Sequence, residues 1–383
     1  MDLLKSQAWC TVHYPACIFA MEKHGVFPFE RFAYDALRIA PEVLSSASLP
    51  SAVAVTFDRD GRRDPWVLSA WVREDNATGG VAIEATPFTP SVLLAICHRV
   101  ARPLFDTNGR FDEWCASPKT LNEELTALGN LVVRAEATCH ERGLGPALEQ
   151  LRDGGQYTFA TLPGTTTYFD SAVQALVNHE AAHAYMRHLE LIRTSLGDVD
   201  RKAFEFMADL VATSWMYRRF VVNTPNTAEY RQMRGFSTHN EALRANARTV
   251  LEAQLTLLMF AAFAEVLRTR APATFRGGIT HPHTLIRYQM QQVHFLTLIL
   301  SNFSEVFAGD HMQTLDDWWE NVLVLLTRAG LLPPPTETLF TDDAHFAAVR
   351  RAGELAEELQ VTELIKAVPF LRTLTAMDRG KHR

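Results

Sequence analysis

The sequence predicts an α+β protein that is predominantly α-helical, with a small β-sheet region near the N-terminus. Apolar residues recur with helical spacing over most of the chain beyond residue 90, in Ser91–Leu104, Leu121–Cys139 and the long stretch Asn240–Arg270. Short runs that carry Val, Ile and Trp are concentrated in Ser51–Thr86. A chain of 383 residues is long enough for a large core and for more than one structural unit.

Three runs within Ser51–Thr86 predict the strands of this sheet. They are AVAVTFD, PWVLSAWV and GVAIEA, and the turn-forming segments DRDGRRD and REDNATGG separate them. Upstream of the strands, Phe29–Ala47 has helical spacing. Further along, Gly154–Thr167 has the pattern of a strand followed by a loop, and Asp170 is then a plausible N-cap for the next helix.

Composition and charge exclude several classes of protein. The net charge of −7 argues against nucleic acid as the main partner, because phosphate-binding domains usually carry a basic surface. No apolar segment is long enough for a membrane span, and the N-terminus lacks the pattern of a signal peptide. The five cysteines are odd in number and scattered, which favours free thiols in a reducing compartment. We therefore expect a cytoplasmic protein; the sequence carries no indication of its oligomeric state.

The segment ALVNHEAAHAYMR carries the clearest chemical signal in the chain. Residues four apart on a helix lie about 40° from each other in projection, so His179 and His183 point to the same side. Two such imidazoles can share one small cation, and Glu180 can then activate a metal-bound water as general base. This is the HExxH arrangement of zinc hydrolases.

A second helical stretch can complete the set of metal ligands. A catalytic zinc takes three protein ligands and leaves one position open, so a neighbouring helix must supply the third, and Glu205 is suited to this role. Asp209, one turn further on, can accept the free ring N–H of a zinc-bound His. A third His at the metzincin position is absent, since Leu189 stands there. His188 faces away from His179 unless the helix ends before it.

The segment RGGITHPHTLIR provides a third element. The two glycines loosen the backbone, and Pro282 suits the first turn of a helix, which leaves His281 at the helix entrance. A His in this position can donate a hydrogen bond to an oxyanion that develops at a zinc-bound carbonyl. The alternative is a capping or surface His with no chemical role.

Together, His179-Glu180-x-x-His183, Glu205-x-x-Ala208-Asp209 and Thr280-His281-Pro282 with Arg287 resemble the gluzincin metallopeptidases. The resemblance is greatest to the HtpX and CaaX-prenyl-protease type, whose motifs are HExxH, ExxAD and THPxxxxR in this order. The run HAYMRHLEL is also similar to the soluble phage-exclusion (Lit-like) peptidases. The resemblance covers about a third of the chain, and the membrane helices of the CaaX-protease type are missing.

The resemblance implies a zincin-like catalytic core in residues 151–310, with a helical insertion at 226–275. Residues 1–150 then form an N-terminal mixed α/β region and residues 311–383 a C-terminal helical region. His179, His183 and Glu205 would bind one Zn²⁺, Glu180 would be the base and His281 the transition-state donor. Asp209 would orient a ligand from outside the metal's own shell, and Arg287 would brace the His281 loop.

The expected function is a zinc-dependent endopeptidase that hydrolyses peptide bonds of an intracellular protein or peptide substrate. Such substrates usually bind extended beside a strand edge, for which Gln156–Leu162 is the candidate. Two alternatives stay open. One is a zinc hydrolase of another bond or an aminopeptidase, although the exopeptidase signature Gly-x-Met-Glu-Asn is absent from the sequence. The other is a non-catalytic helical interaction protein in which the HExxH is incidental.

Overall fold

The computed structural model describes a set of residues in which helices predominate and one small sheet lies near the N-terminus. This confirms the predicted α+β class at that level. Three predicted features, the helix Phe29–Ala47 apart from Phe32, the strand Gln156–Leu162 and the His281 loop, lie outside the described residues. The structure describes residues 32, 53–57, 68–75, 80–106, 118–153, 165–191, 197–269, 284–303, 317, 320, 324, 327–328, 343–361 and 364.

The sheet has three strands, β1 (Val53–Phe57), β2 (Ala70–Asp75) and β3 (Gly80–Ala85), in the order β1-β3-β2. The central strand β3 pairs in parallel with β1 and antiparallel with β2. Each strand falls on one of the three predicted runs, although β2 starts at Ala70 and extends past the predicted run to Asp75. Ala82, Ile83 and Ala85 of β3 are buried, which suits Ala and Ile in a central strand.

The helices that follow the sheet cover the predicted helical stretches. The end of α3 (Pro118–Arg142) is marked by Gly143, whose φ of 89° lies in the left-handed region that glycine adopts without steric cost. The N–H of Gly143 donates to the carbonyl of Cys139 at 2.9 Å, and α4 (Leu144–Asp153) packs against α3. In chain order the elements are α1 (Thr89–Ile96), a π-helical turn (Cys97–Ala101), α2 (Arg102–Asp106), α3 (Pro118–Arg142) and α4 (Leu144–Asp153).

The HExxH segment lies on α5, which runs from Thr165 to Tyr185. The prediction that Asp170 is the N-cap was wrong, because the helix starts five residues before it. Aromatic packing accounts for the earlier start: Phe169 is buried, and the ring of Tyr168 lies 5.5 Å from that of Phe105. Tertiary burial therefore outweighs the weak helix propensity of the threonines at the start of α5.

Beyond α5 the described chain is helical. Helix α7 (Asp198–Tyr217) begins after Gly197, its N-cap, and the acidic Asp198 and Asp200 in its first turn interact favourably with the positive end of the helix dipole. It packs against α10 (Thr284–Asn302) and α11 (Asp343–Glu358). The elements are α6 (His188–Leu191), α7 (Asp198–Tyr217), a π-helical turn (Arg218–Val222), α8 (Ala228–Arg234), α9 (His239–Thr269), α10 (Thr284–Asn302) and α11 (Asp343–Glu358).

The chain clusters into two compact units, each discontinuous in sequence. The first comprises Met1–Ala181, Thr256–Ala273 and Leu325–Leu332, and the second comprises Ala182–Leu255, Thr274–Val324 and Pro333–Arg383. The division cuts two continuous helices, α5 after Ala181 and α9 after Leu255. The predicted boundaries at residues 150 and 310 stay a prediction.

One helical stretch in the described part of the chain, His239–Glu265 of α9, is long and apolar enough to cross a membrane. In its most apolar window, 72% is buried inside the protein. A buried core helix has the same length and composition, so this stretch is weak evidence for a membrane span.

Candidate metal centre

The HExxH side chains lie on a helix that is buried around most of its circumference. His179 and His183 are one turn apart on α5, and the two alanines between them, Ala181 and Ala182, are buried. Glu180 is 6% exposed and His183 is 9% exposed. Ionisable groups are seldom buried without a partner, because burial removes their hydration. These side chains therefore need a polar partner or an ion, which distinguishes them from ordinary surface residues.

Glu205 of α7 joins the two histidines, as the sequence predicted for a third ligand. One potential ligand atom each of His179, His183 and Glu205 lies within 4.8 Å of the other two. The Nε2 atom of His183 is 3.6 Å from Oε1 of Glu205, so Nε2 is the ring nitrogen on the carboxylate side. This cluster could hold a metal ion, and its two imidazoles and one carboxylate are the donor types that divalent transition metals such as zinc accept.

Arg287 of α10 connects the proposed ligand Glu205 to Asp209. Its Nε donates to Oδ2 of Asp209 at 2.7 Å and its Nη2 to Oδ1 at 2.9 Å, a bidentate pair. The same Nη2 lies 3.4 Å from Oε2 of Glu205. Glu205 thus directs one oxygen towards His183 and the other towards Arg287, which holds the carboxylate in one orientation.

The hydrogen bonds between Arg287 and Asp209 give both residues a structural role, in addition to the roles predicted from the sequence. Burial acts to lower the pKa of Arg287, but the charge of Asp209, its hydrogen bonds and the charge of Glu205 raise that pKa above its usual value. The guanidinium therefore stays charged. The predicted acceptance of a ligand's ring N–H by Asp209, and the bracing of the His281 loop by Arg287, stay predictions.

The charges of this cluster favour a cation. Glu205 and Asp209 carry two formal negative charges against the single positive charge of Arg287. The cluster therefore has an excess of one negative charge, which a bound cation such as a divalent metal ion would offset. The donor set and the charge of the cluster both fit such an ion.

His188 is a member of the site that the sequence analysis did not assign. α5 ends at Tyr185, Arg187 adopts a left-handed φ of 57°, and His188 starts the short helix α6. Its Nδ1 lies 2.7 Å from Nδ1 of His183, and its side chain is fully buried. The sequence predicted that His188 would face away from the site unless the helix ended before it. The helix does end before it, at Tyr185, so His188 can turn back towards the site. Neither Gly nor Pro marks that end in the sequence.

His281, the predicted transition-state donor, lies outside the described residues, so its place stays a prediction. No protein-family model, curated protein or solved structure matches this chain. The resemblance to gluzincin peptidases therefore depends on the three motifs and on how the described residues of those motifs are arranged.

Proposed function

We propose that this protein is a zinc-dependent endopeptidase of the gluzincin type that cleaves an intracellular protein or peptide. The observation that carries the proposal is the meeting of His179, His183 and Glu205, whose ligand atoms lie within 4.8 Å of one another. The first two are one turn apart on a helix, but Glu205 comes from a different helix. A chance HExxH sequence gives no reason for a carboxylate to approach it there.

The ligand roles follow from the chemistry of the donor set. His179, His183 and Glu205 would hold zinc through two nitrogens and one oxygen, the ligand set of thermolysin-like sites. Zinc, when bound, supplies a Lewis acid that polarises the scissile carbonyl and makes water more acidic. Arg287 contributes by occupying Oε2 of Glu205 at 3.4 Å, which leaves Oε1 on the side of His183.

Glu180 is the residue suited to move the proton. It follows His179 directly on α5 and is buried, so its carboxylate is held in place by the helix. In peptide hydrolysis it removes a proton from the attacking water as the C–O bond forms. It then delivers that proton to the amide nitrogen as the C–N bond breaks, which releases the new amine. His281 keeps its predicted role as a hydrogen-bond donor to the oxyanion.

Metal content and turnover test this proposal together. We expect about one zinc per chain, in line with one three-ligand site, measured by elemental analysis of the purified protein. His183→Ala and Glu205→Ala should lose the metal because each removes a ligand. Glu180→Gln should keep the metal and lose turnover by roughly 10²–10⁴-fold, because an amide cannot accept the proton. A quenched fluorescent peptide library measures turnover.

Glu252→Gln is the matched control for the loss of a buried carboxylate. Glu252 is buried on α9, accepts a hydrogen bond from Arg248 at 2.8 Å and is not one of the three residues grouped as possible metal ligands. This variant should retain both zinc and turnover. A wild-type protein that neither contains zinc nor takes it up would end the proposal. Full turnover by Glu180→Gln would leave the metal site but remove Glu180 as the base.

A further inference from the structure

His183 and His188 form a buried pair beside the metal site, and none of the three sequence motifs includes His188. The two Nδ1 atoms are 2.7 Å apart, so one of them carries the proton and the other accepts it. The rings meet nearly edge to face, with centroids 5.0 Å apart and an interplanar angle of 63°. This contact is as short as a good hydrogen bond, and it lies in a region where His188 is fully buried.

The direction of this hydrogen bond follows from the position of Glu205. Nε2 of His183 is the nitrogen on the carboxylate side, 3.6 Å from Oε1 of Glu205. A metal ligand must offer a lone pair, so Nε2 has to be unprotonated and the single proton of a neutral ring sits on Nδ1. The Nδ1–H of His183 then donates to Nδ1 of His188, and His188 carries its own proton on Nε2.

The surroundings of His188 hold its ring in one place. Arg187 turns the chain by adopting a left-handed φ of 57°, a conformation that non-glycine residues rarely adopt. The ring of His188 packs on Phe204, with centroids 4.0 Å apart. Phe204 precedes Glu205 on α7. One side chain thus contacts a ligand on α5 and the residue beside a ligand on α7.

We propose that His188 is the positioning residue that fixes the tautomer and the orientation of His183 for metal binding. The inference rests on the proposed metal centre. Metal-binding histidines usually donate their second N–H to a carboxylate, a backbone carbonyl or water, and such partners typically change metal affinity by about 10–100-fold. Here the acceptor is a neutral imidazole, which orients His183 without adding to the negative charge of Glu205 and Asp209.

Three substitutions at residue 188 separate hydrogen bonding from packing. His188→Asn places an amide oxygen near the position of Nδ1 and keeps the acceptor. His188→Phe keeps an aromatic ring against Phe204 but has no acceptor. His188→Gln keeps the polar group but moves it one bond further out. Competition with a chelator measures zinc affinity, and the visible spectrum of the Co²⁺ form reports the geometry of the ligands.

We expect His188→Phe and His188→Gln to weaken zinc by about 10–100-fold, and His188→Asn to weaken it by less than about 10-fold. If His188→Phe does not fold, the Asn and Gln variants decide, because both are polar and only Asn keeps the acceptor in place. Equal zinc affinity in these two variants would overturn the inference, as would an unchanged affinity in His188→Phe.

A second measurement does not depend on activity or on bound metal. Nitrogen chemical shifts of histidine-labelled, metal-free protein should show the proton of His183 on Nδ1 in the wild type and in His188→Asn. In His188→Gln the form of His183 that carries its proton on Nδ1 should no longer predominate. A proton on Nε2 of His183 in the wild type would overturn this inference but leave the proposed function standing. Absence of zinc binding by the wild type would overturn the proposed function and the inference with it.

Discussion

Two polar clusters, one partly and one fully buried, lie next to each other on α7, and they are built from different chemical groups. The first, the carboxylate cluster, consists of Glu205, Asp209 and Arg287. The second, the hydroxyl cluster, consists of Thr213, Ser214, Gln254 and His294. Gln254 Nε2 donates to Thr213 Oγ1 at 3.0 Å, and Ser214 Oγ lies 2.8 Å from His294 Nε2. Both clusters belong to the second unit and involve α10.

The two clusters differ in charge. The hydroxyl cluster is neutral, and its hydrogen bonds link α7 to α9 and α10 at the modest cost of burying hydroxyl and amide groups. The carboxylate cluster has an excess of negative charge, and buried charges seldom improve stability over apolar packing. Glu205 of this cluster is also one of the three residues that could hold a metal ion, and a bound cation would offset the excess charge.

The largest effect on stability should come from Arg287→Ala. The variant leaves Asp209, which is 4% exposed, without its bidentate partner, and breaking a buried pair in this way costs about 3–5 kcal/mol. Unfolding in urea measures the loss. Arg287→Lys should recover only part of it, because an ammonium cannot make the two parallel bonds. A loss below about 1 kcal/mol, typical of an exposed pair, would show that the carboxylate cluster is solvated.

A smaller effect, specific to the hydroxyl cluster, should appear as a dependence of stability on pH. Burial lowers the pKa of His294 from 6.5 to about 4. Above pH 6.5 the ring is neutral in both the folded and the unfolded state, so it makes no contribution to the pH dependence of the free energy of unfolding there. As the pH falls from 6.5 to about 4 the unfolded chain binds a proton that the folded protein does not. The free energy of unfolding should therefore fall by about 3 kcal/mol across this window.

His294→Gln tests the source of that loss. Its free energy of unfolding should depend less on pH between 6.5 and 4 than that of the wild type, whatever its value at neutral pH. His140→Gln, which changes an exposed histidine on α3 outside the hydroxyl cluster, is the control for the loss of a histidine. The same slope in His294→Gln and in the wild type would mean that His294 is protonated equally in both states.

The sequence predicted the parts of the site that depend on spacing along one helix or on composition. His179 and His183 are placed by helical geometry alone, and the three strands by their Val-, Ile- and Trp-bearing runs. The pairing of those strands was not predicted, because the parallel contact of β1 with β3 is a tertiary choice that no single run encodes.

The parts that were missed depend on contacts between elements that are distant in the chain, or on a single backbone angle. The bonds of Arg287 to Asp209 join residues on α10 and α7, and only packing brings these helices together. His188 turns towards His183 because Arg187 adopts a positive φ, which a non-glycine residue rarely does. Asp170 was misplaced because burial of Phe169 extends α5 beyond the point where a capping residue would start it.

Ser214→Ala should give the smallest effect of the three and tests whether the hydroxyl cluster is purely structural. Removing Oγ leaves Nε2 of His294, on a side chain that is 2% exposed, without the partner it has at 2.8 Å. An unsatisfied neutral group of this kind costs about 1–3 kcal/mol, less than the unpaired carboxylate left by Arg287→Ala. Ser301→Ala is the matched control, because Ser301 is exposed on α10 and bonds only to the carbonyl of Thr297 among the described contacts. It should change stability by less than about 0.5 kcal/mol. Zinc affinity should stay at the wild-type value in both serine variants, whereas a loss of zinc in Ser214→Ala would mean that the two clusters act as one site.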